Sequence, residues 1–240
     1  MSAKSAILLA AAIFLLTVLM RLPAAVLTLF LPATVHCQAP AGTLWRGSCG
    51  ELRSDPLALS DVRWALHPLE LLHAQVFADI DSADPRASGH AQIRLHGNGD
   101  LDIRALSASL PLQGGLSLMP VGWSGTLELA IEQASIQGGH LVAAQGIISV
   151  RRLHRDQPPV DLGGFELNFP DAAQLTGNLR DTDGPLSLQG VLQLSRSGGY
   201  QLNGTVATRD ASSSDLQQLL QMLGPADAQG RHAFSLAGTF

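Results

Sequence analysis

Leu186-Ser187-Leu188-Gln189-Gly190-Val191-Leu192-Gln193-Leu194, then Ser197-Gly198-Gly199, then Tyr200-Gln201-Leu202-Asn203-Gly204-Thr205-Val206, is the stretch that decides the fold. Leu186, Leu188, Leu192 and Leu194 share one parity, and Ser187, Gln189, Gln193 and Ser195 share the other. After the Ser-Gly-Gly turn, Tyr200, Leu202 and Val206 resume the apolar parity against Gln201, Asn203 and Thr205. Side chains on a strand alternate between its two faces, so this is a hairpin with one apolar and one polar face. Leu186, Leu188, Leu192, Leu194, Tyr200 and Leu202 line the apolar face. They are either core beneath a second sheet or the wall of an apolar groove, because alternation alone does not separate the two.

The same rhythm recurs upstream. Val62, Trp64 and Leu66 alternate with Asp61, Arg63 and Ala65; Leu127, Leu129 and Ile131 alternate with Thr126, Glu128 and Ala130. Phe165, Leu167 and Phe169 alternate with Glu166 and Asn168, and Leu106, Ala108, Leu110 and Leu112 form a run interrupted by Pro111. Phe234, Leu236 and Phe240 close the chain. Turn residues separate the runs: Gly97-Asn98-Gly99, Gly114-Gly115, Gly138-Gly139, Gly163-Gly164 and Asp183-Gly184-Pro185. Short strands with such punctuation predict a mainly β domain, an antiparallel, twisted, sandwich-like sheet. Two stretches depart from it. Pro68 to Ala74 reads as a short helix or irregular turn. Ser214-Asp215-Leu216-Gln217 is a capping box, followed by Leu216, Leu219, Leu220 and Leu223 at helical spacing and stopped by Gly224-Pro225. That short C-terminal helix is expected to cover an edge or end of the sheet.

Before the β region, Ser5 to Leu31 holds one ionisable residue, Arg21. A continuous helix of that length spans about 40 Å, enough to cross a bilayer, with Pro23 kinking its far end. Arg21 lies far enough from Lys4 to snorkel to the far interface. A cleaved signal peptide is the rival reading. The apolar stretch is too long for one, and Ala39-Pro40-Ala41 lies too far downstream to be its cleavage site. Lys4 and the amino terminus against Arg21, Arg46 and Arg53 leave the positive-inside rule nearly balanced. A short tail is easily left in the cytoplasm. The expected division is 1–4 cytoplasmic tail, 5–31 transmembrane helix, 32–56 disulfide-closed linker or first strand region, and 57–240 periplasmic β domain.

Cys37 and Cys49 are the only cysteines. In an oxidising compartment they can close a loop of about thirteen residues, and an exported chain with one close pair favours that disulfide. The alternative is two independent buried thiols. Zinc is disfavoured, since His36 beside Cys37 is a lone third candidate.

Composition narrows the function classes. The 240 residues carry a net charge of −5 and one lysine, Lys4, so the clustered positive charge that nucleic-acid binding needs is missing. Apolar residues make up 46%, enough to bury a core without metals. Gly122-Trp123-Ser124-Gly125 is one residue short of a nucleophile elbow, and there is no phosphate loop or His-Glu-x-x-His. His67 and His73, like His90 and His96, are six apart, about 20 Å along a strand, too far to share a metal. Asp79, Asp81 and Asp84 lack a calcium-loop pattern and read as a solvated turn. No enzyme active site and no cofactor are expected. Leu44 and Trp45, adjacent and so on opposite faces of a strand, are candidate partner contacts, with a two-sided buried strand as the alternative.

Taken in order, several segments carry a resemblance. After the anchor come Gly42-Thr43-Leu44-Trp45-Arg46-Gly47, then Val62-Arg63-Trp64-Ala65-Leu66-His67-Pro68 with Leu71-Leu72. Leu110-Pro111-Leu112 and Gly125-Thr126-Leu127-Glu128-Leu129 follow. The C-terminal part holds Leu188-Gln189-Gly190-Val191-Leu192, Tyr200-Gln201-Leu202-Asn203-Gly204, Arg209, Leu223-Gly224 and Phe234-Ser235-Leu236-Ala237-Gly238. The chain resembles the type II secretion system protein N family nearly end to end. The resemblance implies an accessory, bitopic inner-membrane component of a Gram-negative protein-export machine, with its bulk in the periplasm. It implies as partners the secretin and other inner-membrane components. Two functional classes follow: a non-enzymatic scaffold or tether between those parts, or a membrane-anchored β-groove module that binds lipid or another apolar ligand.

Overall fold

The computed structural model describes residues 3–29, 34–54, 57–84, 87–113, 122–157, 159–209 and 214–239. The expected turn at Gly114-Gly115, the end of the anchor at Leu31 and the closing Phe240 lie outside these residues, as do the side chains of Lys4 and Leu219.

The described strands form one antiparallel sheet. They are β1 (Val35–Gly42), β2 (Arg46–Ser54), β3 (Leu57–Leu66), β4 (Gln75–Ala83), β5 (Ser88–His96), β6 (Leu101–Gln113), β7 (Trp123–Gln137), β8 (His140–Arg155), β9 (Val160–Phe169), β10 (Thr176–Asp183), β11 (Leu186–Leu194), β12 (Gly199–Thr208) and β13 (His232–Thr239). All thirteen hydrogen-bond in sequence order, β1 to β13. Each strand pairs with its successor, mostly across short connections; the one between β12 and β13 is longer and carries the helix Ser214–Gln221. The β7–β8 turn shows the local cause: Gly138 (φ 56°) and Gly139 (φ 82°) sit between the paired Gln137 and His140, and two consecutive positive φ values are what a two-residue type I′ hairpin requires.

The deciding hairpin forms in the expected register, with Leu188 opposite Val206, Leu192 opposite Leu202 and Leu194 opposite Tyr200. The sandwich-like expectation is corrected. Among the described residues no second sheet packs on the first; β1 and β2, within the expected first strand region, are its first two strands.

The helices are α1 (Ala3–Met20) and α2 (Ser214–Gln221), with 3-10 turns at Ala24–Leu29 and Pro68–His73. The second turn and α2 fall where the sequence places short helical stretches. The expected continuous helix from Ser5 to Leu31 is also corrected: α1 ends at Met20, and Pro23 instead bridges Thr43. Among the described residues no helix is long and apolar enough to cross a membrane. Proline is the cause of the break. It has no N–H to give to the carbonyl four residues back, Leu19 O. That oxygen instead accepts a hydrogen bond from Trp45 Nε1 at 2.8 Å, and Leu44 N donates to Leu22 O at 2.8 Å. The β1–β2 turn thereby caps the end of α1.

The long strands change face along their length. On β6, Leu101 and Ile103 share one parity and Leu106, Ala108, Leu110 and Leu112 the other, with Ala105 at φ 48° between them. Ala39 and Asp61 take the same left-handed backbone in β1 and β3, beside Gly50 of β2, where the paired register skips a rung. Such irregularities shift the alternation by one residue and keep apolar side chains on a single face.

Candidate functional site: an uncharged row across one sheet face

Following cross-strand partners from one edge to the other gives Pro40, Cys49, Val62, Ser82, Gly89, Ala108, Leu129, Ile148, Leu167, Leu179, Gly190, Gly204 and Phe234. Partners in register share a face, so this row crosses the whole sheet on one side with no charged member. Parallel rows flank it: Trp64 beside Ile80, Leu110 beside Leu127, Val150 and Phe165, and Leu192 beside Leu202 and Leu236. Much of this face is only half buried. Leu129, Ile148, Leu167, Leu179 and Leu202 are intermediate, and Leu236 on the edge strand is 57% exposed.

Glycines in these rows are filled by aromatic rings from the next strand. Gly47 pairs with Trp64, Gly204 with Phe234 and Gly238 with Tyr200, and in each case the ring occupies the space a Cβ would take. Phe169 does the same for Gly177. A ring laid over a cross-strand glycine adds apolar contact where the strand has no side chain of its own. Sequence reading took Gly47, Gly190, Gly204 and Gly238 only as parts of a pattern. That Gly47, Gly204 and Gly238 each stand opposite an aromatic of the adjacent strand is visible only once pairing is known.

Both ends of the face are covered. At the β1 end, Ala24 and Leu27 of the first 3-10 turn pack on Cys49, Val62 and Trp64, around a wholly apolar cavity of about 110 Å³ that reaches Ile80. Cys37 and Cys49 are joined in a disulfide there, with their Cα atoms 5.7 Å apart. At the far end, Leu216 and Leu220 of α2 pack on Leu186 and Val206, joined by Leu188 and Phe234. Beside them Asp181 pairs with Arg209 and accepts the Leu188 N–H at 2.7 Å. Leu192 and Leu194 instead pack near Phe169 and Leu175. Thus Leu186 is core, Leu188, Leu192, Leu194 and Leu202 are half-buried, and Tyr200 is 36% exposed.

Leu44 and Trp45 lie in the β1–β2 turn, not on a strand, so the opposite-face argument does not apply to them. Both are engaged within the chain: Leu44 O accepts Trp64 Nε1 at 3.0 Å, and Trp45 reaches Leu19 as described above.

The opposite face is polar. Each of three histidines pairs with an aspartate: His67 with Asp79 at 2.7 Å, His90 with Asp81 at 2.8 Å and His96 with Asp102 at 2.9 Å. Asp79 and Asp81 therefore lie in β4 rather than in a solvated turn, and Asp84 is buried and accepts the Ser60 N–H. The Ser135 hydroxyl donates to Asp102 at 2.7 Å; with the His96 contact, it holds the Asp102 carboxyl below its ordinary value of 3.8. Among the described residues no three His, Cys, Asp or Glu side chains converge as a metal-binding set.

Fold and face define a class: a single-sheet β-meander protein with an apolar N-terminal helix. Within it, the chain belongs to the family described as type II secretion system protein N, which it matches over residues 33–235. It is 26% identical to the type II secretion system protein N of Vibrio cholerae over 96% of both chains. It is 28% identical to that of Klebsiella pneumoniae over 93% of this chain and 91% of the relative, and 25% identical to that of Aeromonas hydrophila over 95% and 96%. No solved structure matches the chain. Membership makes it a type II secretion component.

Proposed function

We propose that this chain is an accessory, non-catalytic inner-membrane component of the type II secretion machinery that acts as a scaffold or tether. The apolar helix α1 holds it in the inner membrane as a single pass, with the N-terminus in the cytoplasm and the sheet in the periplasm. The sheet presents surfaces to the secretin and to other inner-membrane components. One observation carries this reading: a thirteen-partner uncharged row that runs from the N-terminal segment to an edge strand with no proline and no charge on it. An edge of that kind is a template for strand addition by a partner. Edge β1 differs, since it carries Pro40 and is crossed by the disulfide.

A second reading has its own support. Among the described residues nothing covers the apolar face between its two ends, which fits a module that lays an acyl chain or another apolar ligand along the row. Two measurements separate them. Site-specific crosslinking in intact cells from Leu236 to the secretin or an inner-membrane component, with no lipid co-purifying, supports the tether. Lipid at near-unit stoichiometry by mass spectrometry of the purified full chain, with no such crosslink, replaces the tether with the groove.

A further inference from the structure

We propose that the 3-10 turn Pro68–His73 is a membrane wedge: Leu69, Leu71 and Leu72 insert into the lipid surface from which α1 emerges. The proposal rests on the anchoring reading given above.

The turn is apolar where nothing in the fold uses it. Leu69 is 75% exposed, Leu72 82% and Leu71 46%, and no residue of the turn is buried. Side chains three apart eclipse one another on a 3-10 helix, so Leu69 and Leu72 share a side. Glu70 and His73, also three apart, share another side and leave the leucine side uncharged.

The turn is also held in place, as an inserting element must be. Leu66 N donates to Trp45 O at 2.7 Å, and His67 N donates to Phe77 O at 3.0 Å. His67 Nε2 pairs with Asp79 at 2.7 Å, and Ala74 closes the turn in the left-handed conformation with its N–H on Leu71 O. The three leucines are thus projected from both ends of a fixed loop.

What covers them follows from their neighbours. Met20, the last residue of α1, lines one recess together with Trp45, Arg46, His67 and Pro68. The turn therefore stands beside the point where the apolar helix ends. Trp45 at that point is a residue type that favours the membrane–water interface, and Arg46 can lay its stem along lipid with its head in water. Exposed leucines next to an indole, an arginine and the exit of an apolar helix meet lipid, not water. Insertion would fix the sheet's β3–β4 corner against the bilayer and so set the direction in which the row leaves the membrane.

The test uses the full chain with its disulfide intact, in nanodiscs of phosphatidylethanolamine and phosphatidylglycerol. An environment-sensitive fluorophore is placed singly at Phe14→Cys in α1, at Leu72→Cys, or at Ser197→Cys in the distant β11–β12 turn. Quenching by lipids with a nitroxide near the headgroup is then read. The expected result is strong quenching at Phe14 and Leu72, several-fold above that at Ser197. Quenching at Phe14 with Leu72 no different from Ser197 overturns the wedge and leaves the anchor. Absent quenching at Phe14 overturns the anchor and the wedge together. A blue-shifted but unquenched Leu72 assigns the turn to a protein partner and also overturns the wedge.

Discussion

The indole of Trp64 lies across the backbone of its cross-strand partner Gly47, while its Nε1 donates to Leu44 O at 3.0 Å. A Cβ on Gly47 would overlap the ring and stand 2.8 Å from Ala41 O and 2.9 Å from Thr43 O. Gly47→Ala is therefore expected to displace Trp64, lose its hydrogen bond and open the cluster around Cys49 and Val62. Overpacking of this sort costs about 1–3 kcal/mol. Urea denaturation followed by tryptophan fluorescence should show a lower midpoint; an unchanged midpoint would mean the ring is not fixed there.

The disulfide runs diagonally across the first hairpin. Cys37 is in register with Leu52 and Cys49 with Pro40, and the irregular rung between them brings the two together. Replacing both cysteines by serine frees a loop of about thirteen residues and should cost about 3 kcal/mol in the chain-entropy model. Oxidised wild type and the double variant are compared by denaturant midpoint. Reduced wild type should move to the variant's value, and no movement on reduction would refute a stabilising role.

Asp102 gives the acid limb of stability a specific source. Its folded-state pKa lies below 3.8, chiefly through the Ser135 hydroxyl and then His96, so the folded state favours the carboxylate. The sign follows: its stabilisation is fully present above 3.8 and is lost as pH falls through the depressed folded value. Asp102→Asn should flatten the fall in denaturation midpoint on the acid side of pH 4 while leaving the slope near neutrality alone. A variant whose acid limb matches wild type would assign the loss to other carboxylates.

The helix α2 should behave as a clamp on the β11–β13 end. Leu216 is 7% exposed and Leu220 8%, both against Leu186 and Val206. Leu216→Ala and Leu220→Ala are each expected to cost about 2 kcal/mol, the low end for a buried leucine, since only one side of α2 is packed. Faster limited proteolysis between 209 and 232 would accompany the loss. Unchanged cleavage would show that α2 does not hold this segment.

Leu236→Lys tests the exposed edge. The side chain is 57% exposed, so stability should shift by less than about 0.5 kcal/mol. Lysine on an edge strand disfavours strand addition and puts a charge at the end of the row. Secretion in a complementation assay should fall while the protein remains folded. Full complementation would remove the edge from the tethering reading.

Much of the sheet was legible because its information is local. Leu186 through Val206 encodes a hairpin by alternation and a Ser-Gly-Gly turn, and no distant residue is needed to read it. The short turn at Pro68 and the amphipathic segment from Ser214 were legible for the same reason. Trp45 was singled out, but on the wrong premise: it sits in a turn, and its partner is a carbonyl 26 residues earlier. The aspartates of β4 are not legible as strand residues because their histidine partners, His67 just after β3 and His90 on β5, are brought beside them only by pairing. The break after Met20 was half legible, as Pro23 signals a kink but not the indole that takes up the freed carbonyl.

By itself, the sequence determined that this chain makes successive antiparallel hairpins, with leucine and valine on one side and polar residues on the other. Parity and turn chemistry act over a few residues and need no more than the chain in order. Only the tertiary structure decided that these hairpins join into one sheet with no second sheet on it among the described residues, that left-handed residues such as Ala105 keep the apolar row on one face, and that aromatics fill the glycines of the next strand. Alternation says which way a side chain points and is silent on what stands opposite it, because a covering sheet and an open face demand the same pattern.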